Sequence, residues 1–339
     1  AKAGWQAALG VVFLSGVVFL ILSLTGAINV IDAAIPQTLK RAVGVGIGLF
    51  IALIGAINGG FIQGSDATLI TRGNLTDKGT LLAIIGLLVI GILMSLKVRG
   101  SMLIGILVTT LIGIPMGVTN ITGSIIGKPD SLAPIFMKMD IKGALGLGFM
   151  TIFAFWFVDV FDTIGTLMGT AFRANMLDEK GQLPKIKEAM TADAIGTCLG
   201  AALGTSTVTT YVESSAGIAE GGRTGLTAVV TGLLFLVSLI FAPLAGMIPS
   251  QATAPALIIV GVLMMLPVRE IDWSDFTEAL PAFMTIIMMP FAYSISDGIA
   301  TGFIIYPIVK LVTGKGKDMH WLVYVLAVLS VVHLAPGLF

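Results

Sequence analysis

Cysteine is almost absent from this chain. Cys198 stands alone among 339 residues, so no intrachain disulfide can form. Histidine is nearly as scarce, with only His320 and His333, and one thiol with two imidazoles is too little for a Cys/His metal site. Zinc and thiol redox chemistry drop out. Charge is thin as well: 11% of residues are Asp, Glu, Lys or Arg, against roughly 25% in an ordinary soluble domain. Lys and Arg number 19 and Asp and Glu 19, so the formal net charge is zero and no basic surface exists for nucleic acid. In place of charge the chain has 56% hydrophobic residues and a mean hydropathy of +1.02. That excess is spread along the whole length, which describes a polytopic bundle lying mostly in lipid.

Apolar runs long enough to cross about 30 Å of hydrocarbon occur near residues 5–28, 41–63, 80–98, 100–118, 145–171, 226–248, 281–313 and 320–338. Two shorter runs, 191–204 and 253–268, need tilt or neighbours. The polar links between runs are too small to fold alone, so one membrane domain is expected. Trp5 and Trp321 open apolar runs, where amphipathic rings favour the bilayer interface.

The chain also resembles itself. Ser15-Gly-Val-Val-Phe-Leu matches Thr231-Gly-Leu-Leu-Phe-Leu, Ile35-Pro36 matches Ile248-Pro249, and the stretch from Ser95 matches the one from Ser294, about 200 residues on. Two halves therefore repeat one plan. Residues 145–225 precede the second copy of the Ser15 motif and have no counterpart before the first. The expected complete plan thus has roughly three more spans, about 80 to 100 residues, before Ala1. If links alternate sides, Lys40, Arg41, Lys97, Arg99, Arg173, Lys180, Lys185, Lys187, Arg223, Arg269, Lys310, Lys315 and Lys317 collect on one face, the side expected to be cytoplasmic. That alternation needs a break in the 281–313 run near Asp297-Gly298. It also makes the repeats inverted, a transporter architecture.

Two stretches carry chemistry. In Phe157-Val-Asp159-Val-Phe-Asp162-Thr-Ile-Gly-Thr166, carboxylates at i and i+3 share one helix face near mid-membrane. Desolvation favours the neutral form of a carboxylic acid, so an acid in such a place can hold a proton and release it when its surroundings change. The structural alternative is an acid that accepts hydrogen bonds from a neighbouring helix and stays fixed. The second stretch, Gly204 to Arg223, begins with Thr- and Val-rich residues from Ser206 to Val212, a strand composition. A strand in hydrocarbon must lie within protein or line a cavity to satisfy its backbone, so pairing with an equivalent strand is expected. Glu213 stands at the strand-to-helix change, beside free N–H donors of a half-helix N-terminus, either as a substrate group or as a helix cap. Gly196, Gly200 and Gly204 recur every fourth residue and read as a close-packing face. Cys198 reads as a small buried residue, His333 as structural rather than a proton relay, and Asp297 either as the cap of the helix after the break or as a group along the path.

The stretches Phe157 to Thr166 and Thr205 to Thr227, with Thr285-Ile-Ile-Met-Met-Pro-Phe-Ala-Tyr-Ser-Ile-Ser-Asp297-Gly, resemble the signature segments of the AzgA-like purine permeases, a branch of the nucleobase and ascorbate transporter superfamily. The resemblance runs from Trp5 onward. It implies an all-α polytopic fold of seven plus seven inverted spans, with a short intramembrane strand before a half-helix and the first three spans missing. The implied division is a core-domain span, the fourth, at 1–28, a first-repeat gate domain at 29–144, a second-repeat core at 145–250 and a second-repeat gate at 251–319. The segment 320–339 is an additional hydrophobic piece.

By the same resemblance Asp162 falls at the span-eight substrate acid, Thr166 at a second polar position and Glu213 at the span-ten acid. Phe155, Trp156 and Tyr211 are aromatic candidates for stacking on a planar base. The substrate-binding set expected here is Trp156, Asp162, Thr166, Tyr211, Val212, Glu213 and Ser214, with Asp159 and Asp162 the proton-coupling acids. The implied activity is import of hypoxanthine, guanine or adenine by proton symport. The partners are a purine nucleobase, a proton, the lipid bilayer and a second copy in a homodimer; no cofactor, metal or nucleic acid is expected. An anion exchanger or channel on the same fold is the competing class, and acids at both Asp162 and Glu213 would repel its cargo. An inactive fragment is the other alternative.

Overall fold

The computed structural model describes residues 4–120, 124–178, 183–211, 214–219 and 221–335. The first elements are α1 (Trp5–Leu24), a short α2 (Ala27–Ala34) and, directly after Pro36, α3 (Gln37–Asn58). An antiparallel hairpin of β1 (Ile62–Ser65) and β2 (Leu69–Arg72) follows, with Ile62 opposite Arg72. Then come α4 (Lys78–Ser95), α5 (Ser101–Met116), a short α6 (Ile141–Gly146), α7 (Phe149–Arg173) and α8 (Ile186–Leu203). Residues 205–211 are irregular and lead to α9 (Ser214–Ala219). The remaining helices are α10 (Gly225–Ser238), α11 (Ala242–Met247), α12 (Ser250–Met264), α13 (Phe276–Phe291), α14 (Ile295–Val312) and α15 (Trp321–Leu334).

Helix is the expected answer to this composition, because a helix satisfies its own backbone where no water is available. Six helical stretches among the described residues are long and apolar enough to span a bilayer, including α1, α3, α4 and α14. Local signals set the ends. Asp77 accepts from the Gly79 and Thr80 amides to start α4, and Asp275 accepts from the Thr277 amide to start α13, as short polar side chains do at N-caps. Gly204, with φ +94°, closes α8 in a left-handed turn that only glycine adopts without strain.

The residues group into two compact units. In the unit formed by 1–47, 131–223 and 266–339, α1 lies along α8. The contact is close because Gly16 has no side chain: a β-carbon there would stand 2.9 Å from Thr197 Cγ2 and 3.0 Å from Cys198 Sγ. Val11, Ala144 and Ile152 tie α1, α6 and α7 into one apolar cluster. α7 meets α14 through rings, Phe161 lying 5.3 Å from Phe303 at an interplanar angle of 73°, the edge-to-face arrangement aromatic quadrupoles favour. α15 packs on α14 and reaches α2. In the unit formed by 48–130 and 224–265, α4 and α5 make a hairpin on which α12 packs, with Gly86 leaving space for Thr109 and Pro255.

The repeated plan is visible in the elements. The α4–α5 hairpin follows a long helix that starts after Pro36, and the α13–α14 hairpin follows one that starts after Pro249. Three expectations are corrected. The break expected near Asp297 in the 281–313 run falls at residues 292–294, and Ser294, not Asp297, caps the helix after it: the Ser294 hydroxyl accepts from the Asp297 amide at 3.2 Å. Asp297 sits one turn in and meets His333 of α15 at 3.1 Å. Ser206 to Tyr211 forms no strand among the described residues, since its backbone finds a different partner, described below. The β1–β2 hairpin, in a stretch that reads only as a polar link, turns at Leu69 with φ 64°.

Ion pairs gather at one end of the α13–α14 hairpin. Lys310 Nζ, buried in the last turn of α14, lies 2.5 Å from Glu278 Oε1 and 2.8 Å from Thr277 Oγ1. The Tyr306 hydroxyl donates to the same Glu278 oxygen at 3.1 Å. Lys315 bonds Asp275 at 2.8 Å and, with the Thr277 hydroxyl and amide, holds that carboxyl well below the usual carboxylate range. Arg41 bridges to Glu270 at 3.1 Å, joining two segments that alternation had placed on one side. Removing one partner of a buried pair strands the other charge, at about 3–5 kcal/mol. Glu278→Ala is therefore expected to lower the melting temperature in detergent, and adding Lys310→Met to recover most of the loss. A double variant as labile as the single one would show that the stranded ammonium is not the cause.

Candidate functional site

The carboxylates of the middle of the first unit are organised by a spacing that α7 and α8 share. Each helix carries an aspartate followed four residues later by a threonine: Asp159 and Thr163 on α7, Asp193 and Thr197 on α8. Residues four apart lie one above the other on a helix face. The helices run antiparallel here, so each acid meets the threonine of the opposite helix. Thr163 Oγ1 donates to Asp193 Oδ2 at 2.8 Å, and the Thr197 hydroxyl lies 3.3 Å from Asp159 Oδ2. All four residues are buried.

Both threonines also hold the irregular segment 205–211. Thr163 Oγ1 lies 2.9 Å from Thr209 Oγ1. Thr197 Oγ1 accepts from the Val208 amide at 3.1 Å and stands 3.1 Å from the Val208 carbonyl oxygen. One hydroxyl thus takes the place of a neighbouring strand for Val208. The close approach is made possible by glycine: a β-carbon on Gly196 would stand 3.1 Å from Val208 Cγ1, and one on Gly200 would stand 2.9 Å from Val208 Cγ2 and 3.2 Å from the Ser206 carbonyl. Gly196 and Gly200 of α8 therefore receive this segment, through the Val208 side chain and the Ser206 carbonyl.

Asp159, Asp162 and Asp193 lie within Coulomb range of one another. Asp162 is half-buried, with no hydrogen bond to its carboxylate among the described residues. Thr166 is buried, its hydroxyl donating to the Asp162 and Thr163 carbonyls of its own helix. Trp156 lies one turn before Asp159 on α7. Its ring packs against Phe153 and Phe157 and lines an apolar cavity of about 170 Å³ with Val18 and Leu22 of α1. Among the described residues neither its indole N–H nor Asp159 Oδ1 has a hydrogen-bond partner. Tyr211 and Ser214 are exposed at the far end of the segment, and Phe155 is exposed on α7. Val212 and Glu213 lie outside the described residues. The structure thus brings Asp159, Asp162 and Thr166 to one stretch of α7, adds Asp193 beside them and leaves Trp156 facing α1.

Asp193, Thr163, Thr197 and Thr209 escape sequence reasoning. The signal that finds the first three is the shared acid-x-x-x-threonine spacing on two apolar helices, legible only when both are compared. Among the described residues no group of three or more His, Cys, Asp or Glu is placed to hold a metal ion.

Comparison with known proteins places the chain. Residues 1–301 match the Xan_ur_permease family, described as a permease family. Guanine/hypoxanthine permease PbuG of Bacillus subtilis is 46% identical over 334 residues, covering 97% of this chain and 75% of that one. Adenine permease AdeP of Escherichia coli is 42% identical over 331 residues, covering 97% and 74%. Among solved structures, the transmembrane domain of the cyanobacterial bicarbonate transporter BicA superposes with a TM-score of 0.64 at 18% identity, over 89% of this chain and 77% of that one. That likeness gives the fold, an inverted-repeat transporter fold.

The glycine contact yields a direct test. Overpacking a tight contact costs roughly 1–3 kcal/mol, so Gly200→Ala is expected to lower stability and raise amide exchange at residues 205–208. Unchanged exchange there would show that the segment does not depend on α8.

Proposed function

The chain belongs to the Xan_ur_permease family, a multi-pass cell membrane transporter and not an enzyme, and from that premise we propose that it imports purine nucleobases by proton symport with alternating access. The observation that carries the reading is the set of buried or half-buried acids on α7 and α8 beside an irregular intramembrane segment. Irregular backbone at membrane depth is found where it lines a binding cavity, and ionisable groups in spans mark substrate and proton paths. The names of the relatives, permeases for guanine, hypoxanthine and adenine, supply the substrate class.

The chemistry matches. Guanine and hypoxanthine present N–H donors along one edge, and carboxylates accept such donors, as Asp and Glu do from base amino groups in nucleic acids. In this reading Glu213 grips the base, Asp162, whose carboxylate has no described partner, binds it or takes the coupled proton, and Asp159 stands behind them. Thr166, Tyr211, Val212 and Ser214 border the base, and Trp156 is the least suited member of the set because its ring turns toward α1. Entry of a proton with a neutral base draws on the membrane potential, about 2.3 kcal/mol per charge per 100 mV. Core segments 1–28 and 145–250 then rock against gate segments 29–144 and 251–319, in a homodimer.

Uptake of radiolabelled hypoxanthine, guanine, adenine and uracil into proteoliposomes, with and without an inward proton gradient, tests the proposal. Gradient-dependent accumulation of purines and exclusion of uracil are expected. Glu213→Gln is expected to abolish high-affinity binding and Asp162→Asn to stop or uncouple transport. Wild-type accumulation in both variants would assign the work to other groups, and uptake blind to purines would end the reading.

A further inference from the structure

The two threonine bridges differ in one countable respect. A threonine hydroxyl has one proton to give and two lone pairs to accept with. At Thr163 the count closes with an ionised partner: Thr163 donates to Asp193 Oδ2 and accepts from the Thr209 hydroxyl. At Thr197 it does not. The Val208 amide uses one lone pair, and the single proton is then wanted by two acceptors, the Val208 carbonyl at 3.1 Å and Asp159 Oδ2 at 3.3 Å. If Asp159 carries a proton on Oδ2, all three contacts are made at once: Asp159 donates to Thr197, and Thr197 donates to the Val208 carbonyl. If Asp159 is ionised, Thr197 turns its proton to the carboxylate and the carbonyl is left without it.

We propose that Thr197 is a positioning residue that passes the protonation state of Asp159 to the segment 205–211, holding that segment firmly when Asp159 is protonated and loosening it when Asp159 is ionised. The inference deepens the symport reading and rests on it for its transport meaning: arrival of the coupled proton near α7 would tighten the segment that leads to Glu213. Among the described residues the surroundings of Asp159 contain few other charges. Asp162 on its own helix and Asp193 and Cys198 on α8 lie within Coulomb range. α1 and α9 carry no charged residue. Segment 205–211 offers only the exposed Tyr211. α14 faces α7 with Phe303, its Asp297 and Lys310 being engaged by His333 and Glu278.

Hydrogen exchange on the whole protein in nanodiscs, without purine, reads the effect directly. After correction for the intrinsic pH dependence of exchange, protection of peptides covering 205–211 is expected to fall about tenfold as pH rises through the titration of Asp159, the worth of one hydrogen bond. Asp159→Asn keeps a donor toward Thr197, so protection stays high and loses its pH step. Thr197→Val lacks the hydroxyl and is expected to show low, pH-independent protection, and Thr197→Ser to restore the step, which loss of packing alone would not do. A wild-type segment with no pH step, or a step that persists in Thr197→Val or Asp159→Asn, overturns the proposal. Because no substrate is present, failure of purine uptake would sink the symport reading and leave this result standing, and the converse also holds.

Discussion

An unhelical stretch of backbone at membrane depth must find partners for every N–H and C=O, because hydrocarbon supplies none and each orphan costs several kcal/mol. Residues 205–211, read as lying within the membrane, would impose that requirement on the rest of the first unit. The glycines of α8 exist at 196 and 200 so that the segment can come within van der Waals distance. The threonines at 163 and 197 offer hydroxyls that both donate and accept. Gly16 of α1 completes the arrangement from the other side, bringing α1 close against Thr197 and Cys198.

Much of this was legible in the residues themselves. Span positions followed from apolar length, and the repeated plan followed from Ile35-Pro36 and Ile248-Pro249, since proline cannot continue a helix from the preceding turn and so marks where the next one begins. The acids at 159 and 162 stood out because charge is so rare in an apolar helix. Asp193 did not stand out, because it lies at the start of the short 191–204 run, close to the charged first turn of α8 with Lys187 and Glu188. Its importance lies in which helix it faces, and that is a property of packing. The strand expectation failed for a related reason. Thr- and Val-rich composition reports a pleated, half-buried environment, and a glycine-faced helix bearing a threonine supplies such an environment without a second strand.

The second cluster of charge obeys a different logic. Lys310 and Glu278 sit in the last turn of α14 and the first turn of α13, where a cation and an anion each complement a helix dipole. Their mutual contact, the Thr277 hydroxyl and the Tyr306 hydroxyl satisfy most of what burial strips away. Asp275 and Lys315 extend the same end into more exposed positions, so the α13–α14 hairpin is pinned in register where it meets water. The acids on α7 and α8 have no cation among their described partners. Charge is thus neutralised at the end of the α13–α14 hairpin and left without a described counter-charge on α7 and α8.

Why threonines should stand between the acids and the segment can be argued from what a direct contact would do. A carboxylate bonded straight to a backbone amide would favour its own ionised form and grip the segment hardest when unprotonated. It would also repel the neighbouring carbonyl, leaving one of the two groups of Val208 without a partner. Interposing a hydroxyl reverses the sign, because a protonated acid can donate to the hydroxyl and free its proton for the carbonyl. Asp193, bridged through Thr163 to a side-chain hydroxyl and not to a carbonyl, faces no such competition and keeps its bond when ionised. The same side-chain types, placed four residues apart on two antiparallel helices, therefore give one bridge that is indifferent to a proton and one that responds to it.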